Sequence, residues 1–396
     1  MASATTAPQT PPEIGPPRST VGVIGWARAN LFSSVGNTVL TLLGLWLAIR
    51  ILQGVIDWAF VTAIWNGPDG RYVSGFRIWQ LFTEPWAIRS GAPCRVAGTG
   101  ACWPFIANKF PQFIYGRYPV AERWRVDVTL VLLVAGLILV MVPRIPGKIW
   151  SAAFLFLLFP VIAFWLLSGG GLLGLPVVKT EVWGGLLVTL VVALVGLTGS
   201  FPVGILLALG RRSQMPLFRW ASVGFIELVR GVPLITILFM SSVMLPLFLP
   251  SGVTLDKLLR ALIGVMMFQG AYMAETIRGG LQAIPRGQSE AADALGLSYP
   301  QKIGLIVLPQ ALKLVIPGIV NSFVGLFKDT SLVLIISLFD LLGIVQLNAN
   351  ADPAWSSPTT NMTGYVFAAS IFWVCCYGIS RYSQMIERRL AAGERK

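Results

Sequence analysis

The sequence contains no histidine, only four cysteines and few charged residues. Charged side chains make up 12% of its 396 residues, whereas about a quarter is typical of soluble domains. Because histidine is absent and the cysteines lack metal-ligand spacing, a zinc or haem site is not expected. No nucleophile and base pattern is evident, which disfavours a membrane enzyme. Hydrophobic residues reach 55% and mean hydropathy is +0.73, which predicts an all-α polytopic membrane protein.

The net charge is +13, which by itself would suit a nucleic-acid-binding protein. The basic residues are, however, scattered between long apolar runs. The excess of positive charge on the cytoplasmic loops of membrane proteins explains most of them. We therefore expect membrane lipid, and no nucleic acid, as a partner of this chain.

Long apolar runs predict about eight transmembrane helices, the seventh of which is interrupted. The runs cover approximately residues 36–60, 126–142, 149–167, 185–210, 223–248, 258–282, 311–345 and 364–383. If residues 285–310 are cytoplasmic, both termini lie inside and most basic residues of the short loops fall on the inner side. The outer loop 61–125 is also rich in arginine, which a long loop tolerates. A re-entrant segment within that loop is the alternative.

Residues 285–310 lie between two apolar runs and predict a short helix, a turn and a second helix. Gly296 suits the left-handed residue that often ends a helix. Ser298 and Gln301 form a capping-box pattern at the start of the second helix, which Pro309 is expected to end. A capped polar hairpin adds nothing to membrane spanning, so we interpret it as a docking element.

The spacing of this hairpin resembles the EAA loop of permeases from binding-protein-dependent ATP-binding cassette importers. The matching positions are Glu290, Ala291, Ala292, Gly296, Ile306, Leu308 and Pro309. The resemblance implies a cytoplasmic loop that fits a cleft on a separate ATPase subunit. No G-x-x-x-x-G-K-[ST] motif is present, so ATP and magnesium are expected on that ATPase and no cofactor on this chain. The alternative is an interfacial helix pair without a partner.

The C-terminal half resembles the polar amino-acid permease family in several further segments. These are Gly185 to Thr189, Glu227 to Pro233, Ala271 to Gly280, Ile284 to Gln288 and Lys328 to Leu332. The resemblance implies a type I importer permease that carries amino acids across a bacterial cytoplasmic (inner) membrane. It also implies an ATPase dimer, a second and different permease subunit, and a periplasmic amino-acid-binding protein as partners. The additional N-terminal runs resemble the longer permeases of general L-amino-acid importers.

The composition changes near residue 180, and the first twenty positions are rich in proline and small polar residues, which predicts a disordered tail. We expect a disordered cytoplasmic tail and lead-in over 1–35, extra transmembrane helices over 36–180, a permease domain over 181–386 and a cytoplasmic tail over 387–396.

Charged residues inside apolar runs are costly in a membrane and commonly face a bundle interior. Glu275 and Arg278 share one helix face, and Glu275 binds either the ammonium group of a substrate or a basic residue such as Arg278. Glu227 and Arg230 share a face before the helix break at Gly231, so a structural ion pair is the better interpretation.

Lys328, Asp329, Thr330 and Ser331 interrupt the seventh apolar run. A broken span with both signs of charge can present backbone and hydroxyl groups to a zwitterionic solute. These four residues and Glu275 therefore form the candidate substrate pathway. The alternatives for the break are an interface with the partner permease or the pivot of a gate.

The cysteines fall into two pairs. Cys94 and Cys102 lie in the outer loop, where an oxidising compartment favours a disulfide between them. Cys375 and Cys376 lie in the last apolar run and are expected to be small buried residues. The function that these features favour is an ATP-driven amino-acid importer. The rival is an ion-coupled secondary transporter, which would need no docking hairpin.

Overall fold

A computed structural model describes residues 22–65, 91–142, 145–170, 174–250 and 252–394. Within these ranges the chain is helical and has only isolated β-bridges, which confirms the predicted all-α class. The helices are α1 Gly22–Asn30, α2 Val35–Ile56, α3 Trp103–Tyr115, α4 Arg123–Met141, α5 Lys148–Ala153, α6 Phe159–Ser168, α7 Leu186–Arg211, α8 Pro216–Gly231, α9 Leu234–Phe239, α10 Lys257–Ala283, α11 Arg286–Ala294, α12 Tyr299–Gln301, α13 Leu308–Leu314, α14 Ile316–Asp329, α15 Leu341–Ala351 and α16 Pro358–Glu394.

Six helical segments in the described part are long and apolar enough to cross a membrane, and a bent pair adds a seventh. The six are Val35–Val61, Val120–Met141, Trp150–Ser168, Leu186–Arg211, Ile316–Ile336 and Pro358–Arg388. Helix α10 is 27 residues long but more polar than these segments. The predicted apolar runs therefore coincide with helices, but the fifth and the seventh run are each divided into more than one helix.

The chain separates into two compact units, one of which contains residues 22–63 and 97–101. In this unit α2 continues through a π-helical turn, Asp57–Val61, and buries none of its own residues. The amide of Gly100 donates to the Thr62 carbonyl at 2.8 Å. Within the predicted lead-in, residues 22–30 form α1; the predicted disordered tail, residues 1–20, lies outside the described part.

Helix α10 is central to the second unit and packs along α7. The Asp256 carboxylate caps its first turn by accepting from the amides of Leu258 and Leu259, at 2.9 and 3.1 Å. Glycines allow the close approach of the two helices. A Cβ on Gly204 would lie 2.6 Å from the Met273 side chain. Such contacts between small residues and facing side chains are typical of helix packing in membranes.

The fifth predicted run is not one straight span. It consists of α8, which ends at the expected break at Gly231, and a second helical segment, Leu234–Phe248, bent by 107° from the first. The bend lies at Pro233. Proline lacks an amide donor and disfavours a helical conformation at the residue before it, so the first helix ends there. The two parts point in different directions, and both contact α10.

The seventh predicted run, 311–345, is broken twice. Helix α14 becomes a 3₁₀ helix over Thr330–Ile336, and the chain then turns at Ser337, whose φ is 58°. Asp340 caps α15 by accepting from the amide of Gly343 at 2.8 Å. Leu341 and the residues after it therefore belong to a separate helix, which corrects the predicted boundary.

The predicted outer loop 61–125 contains an unpredicted helix, α3, which packs against α15 and α16. Phe105 and Phe113 of α3 are fully buried in a cluster that includes Trp355. A disulfide joins Cys94 to Cys102, and the Thr359 hydroxyl donates to the Cys94 carbonyl at 2.6 Å. Residues 66–90 of the loop lie outside the described part of the chain.

The last helix extends well beyond the last apolar run. Helix α16 continues to Glu394, because nothing in its sequence after that run stops a helix. Most of the segment 387–396, which is predicted to be a cytoplasmic tail, is therefore helical. The free cysteines, Cys375 and Cys376, lie on α16 and are half-buried.

Candidate functional site

Residues 285–310 form the predicted hairpin, and its first helix, α11, ends in a Schellman motif. The amide of Gly296 donates to the Asp293 carbonyl at 3.0 Å, and that of Leu297 to the Ala292 carbonyl at 3.2 Å. Gly296 has a φ of 71°, a conformation that an L-residue adopts at a cost of about 1–2 kcal/mol. Gly296 therefore ends the helix, as predicted.

The second helix of the hairpin begins with the predicted capping box. The Ser298 amide donates to Gln301 Oε1 at 3.0 Å. The expectation that Pro309 ends this helix is wrong, since helical structure continues to Leu314. A π-helical stretch, Lys302–Val307, precedes Pro309. The altered hydrogen-bond register there accommodates a residue without an amide donor.

The hairpin divides the motif residues between an outer and an inner face. Glu290, Ala291, Gly296 and Pro309 are exposed, whereas Ala292 is 1% exposed and Ile306 and Leu308 are half-buried. The exposed face also carries large apolar side chains that the motif did not identify. Leu295 is 78% exposed, Leu305 70% and Tyr299 57%. An exposed apolar patch that carries an acidic residue is typical of a protein-binding surface.

The hairpin is held together by polar contacts between its two arms. Lys302 Nζ lies 2.7 Å from Asp293 Oδ1, and Gln310 Nε2 donates to Gln288 Oε1 at 3.3 Å. Because both contacts join residues distant in sequence, they fix the angle between the arms. The exposed surface is thus carried by a rigid element.

The base of the hairpin is anchored to the helix bundle. Val307 and Ala311 are buried in the same cluster as Ile277 and Leu281 of α10. A Cβ on Gly280 would lie 2.6 Å from the Ala311 carbonyl oxygen, so α10 and α13 meet backbone to backbone. The base of the hairpin is therefore in direct contact with α10.

A cluster of charged residues joins α7, α8 and α10 next to this anchor. The Glu275 carboxylate accepts from Arg278 Nη2 at 2.7 Å and from Arg211 Nη1 at 2.6 Å. Arg211 Nη1 also lies 2.9 Å from Glu227 Oε1. Of the two interpretations of Glu275, the structure shows the ion pair. Its side chain is only 16% exposed, so a substrate ammonium group would have to displace a guanidinium.

Arg230 completes this cluster with a different partner from the one expected. Its Nη1 lies 3.9 Å from Glu275, and its guanidinium lies over the Tyr272 ring at 5.5 Å. Glu227 instead pairs with Arg211, so the predicted pair between Glu227 and Arg230 is replaced by contacts to other helices. Arg211 was missed because it ends an apolar run, where a basic residue is ordinarily a topological signal.

In the polar break of the seventh run, the hydroxyl groups of Thr330 and Ser331 donate hydrogen bonds to the backbone of the same segment. Thr330 is buried and donates to the Phe327 carbonyl at 2.8 Å, and Ser331 donates to the Lys328 carbonyl at 2.9 Å. Lys328 is exposed and Asp329 is half-buried. No hydrogen bond or ion pair joins the Asp329 carboxylate to another residue of the described ranges. Among the four, the charged side chains of Lys328 and Asp329 are the ones most available to a ligand.

Residues 200–392, which include the hairpin and the charged cluster, match the family described as binding-protein-dependent transport system inner membrane component. The inner membrane amino-acid ABC transporter permease protein YhdY of Escherichia coli K12 is 49% identical over 93% of this chain and 93% of its own length. The chain belongs to this permease family.

The chain is also similar to a second permease and to a solved structure. The glutamate/glutamine/aspartate/asparagine transport system permease protein BztC of Rhodobacter capsulatus is 39% identical over 96% of both chains. A crystal structure of an amino acid ABC transporter with histidines is 27% identical, has a TM-score of 0.44 and covers 52% of this chain and 92% of its own. The family membership makes this chain a multi-pass inner-membrane permease of a binding-protein-dependent importer and excludes the ion-coupled alternative.

Proposed function

We propose that this permease forms the translocation pathway for amino acids in an ATP-driven importer. The relatives YhdY and BztC carry amino-acid transport in their names, and both match nearly the whole chain. The hairpin carries the proposal structurally, because its exposed face is rigid and its base is anchored on α10. Closure of an ATPase on that face would move α10 and the helices packed against it.

The partners of this chain are inferred from its family. An importer needs an ATPase and a solute-binding protein in addition to its permeases. ATP and magnesium bind to a cytoplasmic ATPase dimer, and this chain is its non-catalytic permease. A second, different permease completes the pathway, and a periplasmic amino-acid-binding protein delivers the solute. The hairpin and both termini lie in the cytoplasm, a placement that the basic residues of the short inner loops support.

Within the pathway, Lys328 and Asp329 are the residues proposed to meet the solute. They offer both signs of charge at the end of α14, and a zwitterion carries both. Glu275 has a weaker claim, since two arginines already bind its carboxylate. Asp329→Asn should raise the apparent transport constant while the assembled complex remains intact; unchanged kinetics would remove Asp329 from the pathway.

Co-purification of the ATPase with a hairpin variant tests the proposed docking. Glu290→Lys reverses a charge on the exposed face of α11 and should release the ATPase while the permease remains in the membrane. Glu181→Lys, the same change at an exposed site of the connection before α7, is the matched control and should leave the ATPase bound. Retention of the ATPase by the Glu290 variant, with normal uptake, would refute the assignment.

A further inference from the structure

Helix α8 crosses the end of α7 instead of running beside it. A Cβ on Gly210 would lie 2.2 Å from Ser222 Oγ and 3.7 Å from the Phe218 carbonyl oxygen. The next residue, Arg211, binds Glu227 at 2.9 Å. From Phe218 to Glu227 a helix advances about 13 Å, whereas consecutive residues of α7 advance about 1.5 Å. A long stretch of α8 therefore contacts a single turn of α7.

The position of the charged cluster on α10 indicates its depth in the membrane. Between its cap at Asp256 and Glu275 the helix rises about 28 Å, close to the roughly 30 Å hydrocarbon thickness of a bilayer. Within this stretch, after Lys257, Arg260 alone is charged. Glu275, and with it Arg230 at the end of α8, therefore lies at one boundary of the hydrocarbon. After the 107° bend the chain runs back along α10, where Ser241 contacts Gly264.

Helix α8 leaves an apolar face uncovered at this boundary. Leu217 is 77% exposed, Trp220 77% and Leu228 70%. Leu217 and Leu228 are eleven residues apart, which is about three helical turns, so they project from the same side. The charged residues Glu227 and Arg230 project from another side, toward Arg211 and Glu275. A helix that is apolar on one side, charged on another and carries a tryptophan is typical of an in-plane interfacial helix.

We propose that α8 lies in the plane of the membrane, at the boundary on the side of the docking hairpin, and binds the phospholipids of that leaflet. Leu217, Trp220 and Leu228 insert among the upper parts of the acyl chains. The exposed side chain of Arg219 lies at the level of the phosphate groups and favours anionic lipids. Arg212 lies at the same level, although its Nη1 also donates to the Leu281 carbonyl at 2.8 Å. The statement that this leaflet is the cytoplasmic one rests on the proposed function. The in-plane position of α8 and its contact with lipid do not.

The depth of two labels on α8 tests this arrangement. Leu217→Cys and Leu228→Cys are made separately in a Cys375→Ser, Cys376→Ser background, which leaves Cys94 and Cys102 joined. The assembled importer is labelled with a fluorescent thiol reagent and placed in vesicles of phosphatidylcholine and phosphatidylglycerol. These vesicles carry a lipid quencher either near the headgroup or near the end of the acyl chain.

Both labels should be quenched, more strongly by the shallow quencher than by the deep one, and in the same ratio. Phe239→Cys, at an exposed site of α9, is the membrane control and should favour the deep quencher more than either label does.

Two results would overturn the proposal. If α8 crossed the bilayer, the two labels would lie at depths differing by about 16 Å and would show different ratios. If a helix of the second permease covered the apolar face, neither label would be quenched although Phe239→Cys was. Since label depth does not depend on transport, either result would leave the proposed import function untouched.

Discussion

Glu275 is the residue on which the support of the docking hairpin depends most. Its carboxylate binds Arg278 in its own helix and Arg211 in α7, and Arg230 approaches it from α8. A single acidic side chain thus connects three helices near the level where α10 leaves the membrane. Removal of its charge would leave Arg278 without its carboxylate partner and would weaken the contacts of Arg211 and Arg230, which costs more than the loss of one exposed pair.

Glu275→Gln should therefore destabilise the assembled permease by about 1–3 kcal/mol, the usual range for hydrogen bonds to charged groups. Its abundance in the membrane should fall, while the apparent transport constant of the remaining protein stays unchanged. Glu227→Gln is the matched control, because Glu227 has one guanidinium partner and a side chain that is 57% exposed. Near-normal abundance of the Glu275 variant together with a raised transport constant would restore Glu275 to the substrate pathway.

A second residue-scale prediction concerns pH and the connection between α15 and α16. Lys109 of α3 donates to the Asp352 carboxylate, and this hydrogen bond holds the pKa of Asp352 below its usual value. The pair therefore stabilises the folded state above about pH 4, where an unfolded aspartate is ionised. This contribution is lost as the pH falls through the lowered pKa.

Lys109→Met should abolish that part of the acid dependence of the melting temperature, a change of about 0.2–1 kcal/mol in unfolding free energy. Lys179→Met, at an exposed site before α7, serves as the control and should melt with the pH profile of the parent protein. The measurement is thermal unfolding of the purified protein over the acidic range. Parallel profiles for the Lys109 variant and the parent would show that the pair contributes nothing.

At the scale of the element, the close contact between α10 and α13 is the place where a movement of the hairpin would reach the bundle. Gly280 lies against the Ala311 carbonyl, whereas a Cβ on its neighbour Gly279 would meet nothing within 4 Å. Gly280→Ala should push α13 away from α10 and lower ATP-dependent uptake, although the ATPase still binds. Gly279→Ala makes the same chemical change at an open site and should transport normally.

The comparison of these two variants is informative because helix propensity rises equally in both. Uptake and ATP hydrolysis are measured on the same preparation, so that loss of coupling appears as hydrolysis without transport. Equal activity of the two variants would mean that the contact at Gly280 does not carry the motion.

The elements that could be predicted from sequence are those defined by local chemistry. The stop at Gly296 and the capping box at Ser298 depend on residues only a few positions apart, and both are present. The end at Pro309 was mispredicted because the altered register of the preceding π-helical turn has no local sequence signature. The contact of Arg211 with Glu275 joins residues 64 positions apart, and spacing along one helix contains no information about it.

The same reasoning explains the errors in the larger elements. The fifth run was read as one span because Gly231 and Pro233 indicate a break but not its angle, which is 107°. Helix α3 was overlooked because its 13 residues are too few to span a bilayer, and it is stabilised by packing against α15 and α16. Tertiary packing, which a single sequence does not reveal, decided both features.

At the scale of the whole molecule, the permease combines a family transport region with an N-terminal extension. In the outer loop, the segment from residue 91 onward is closed by the Cys94 to Cys102 disulfide and hydrogen-bonded to Thr359 and Thr363, near the start of α16. The hairpin lies in the transport region, together with the charged cluster and α14. The account therefore assigns coupling and solute passage to the C-terminal half and attributes a supporting role to the contacts of α3.

The most direct test of this account is uptake by the reconstituted importer. The permease is assembled with its partner permease, the ATPase and the binding protein in proteoliposomes, and labelled amino acids are supplied on the side of the binding protein. Uptake should require ATP on the side of the hairpin and should be lost with Gly296→Arg, which places a large side chain at a φ of 71° on the docking face. Accumulation driven by an ion gradient without ATP, or ATP-driven uptake that survives this substitution, would contradict the account.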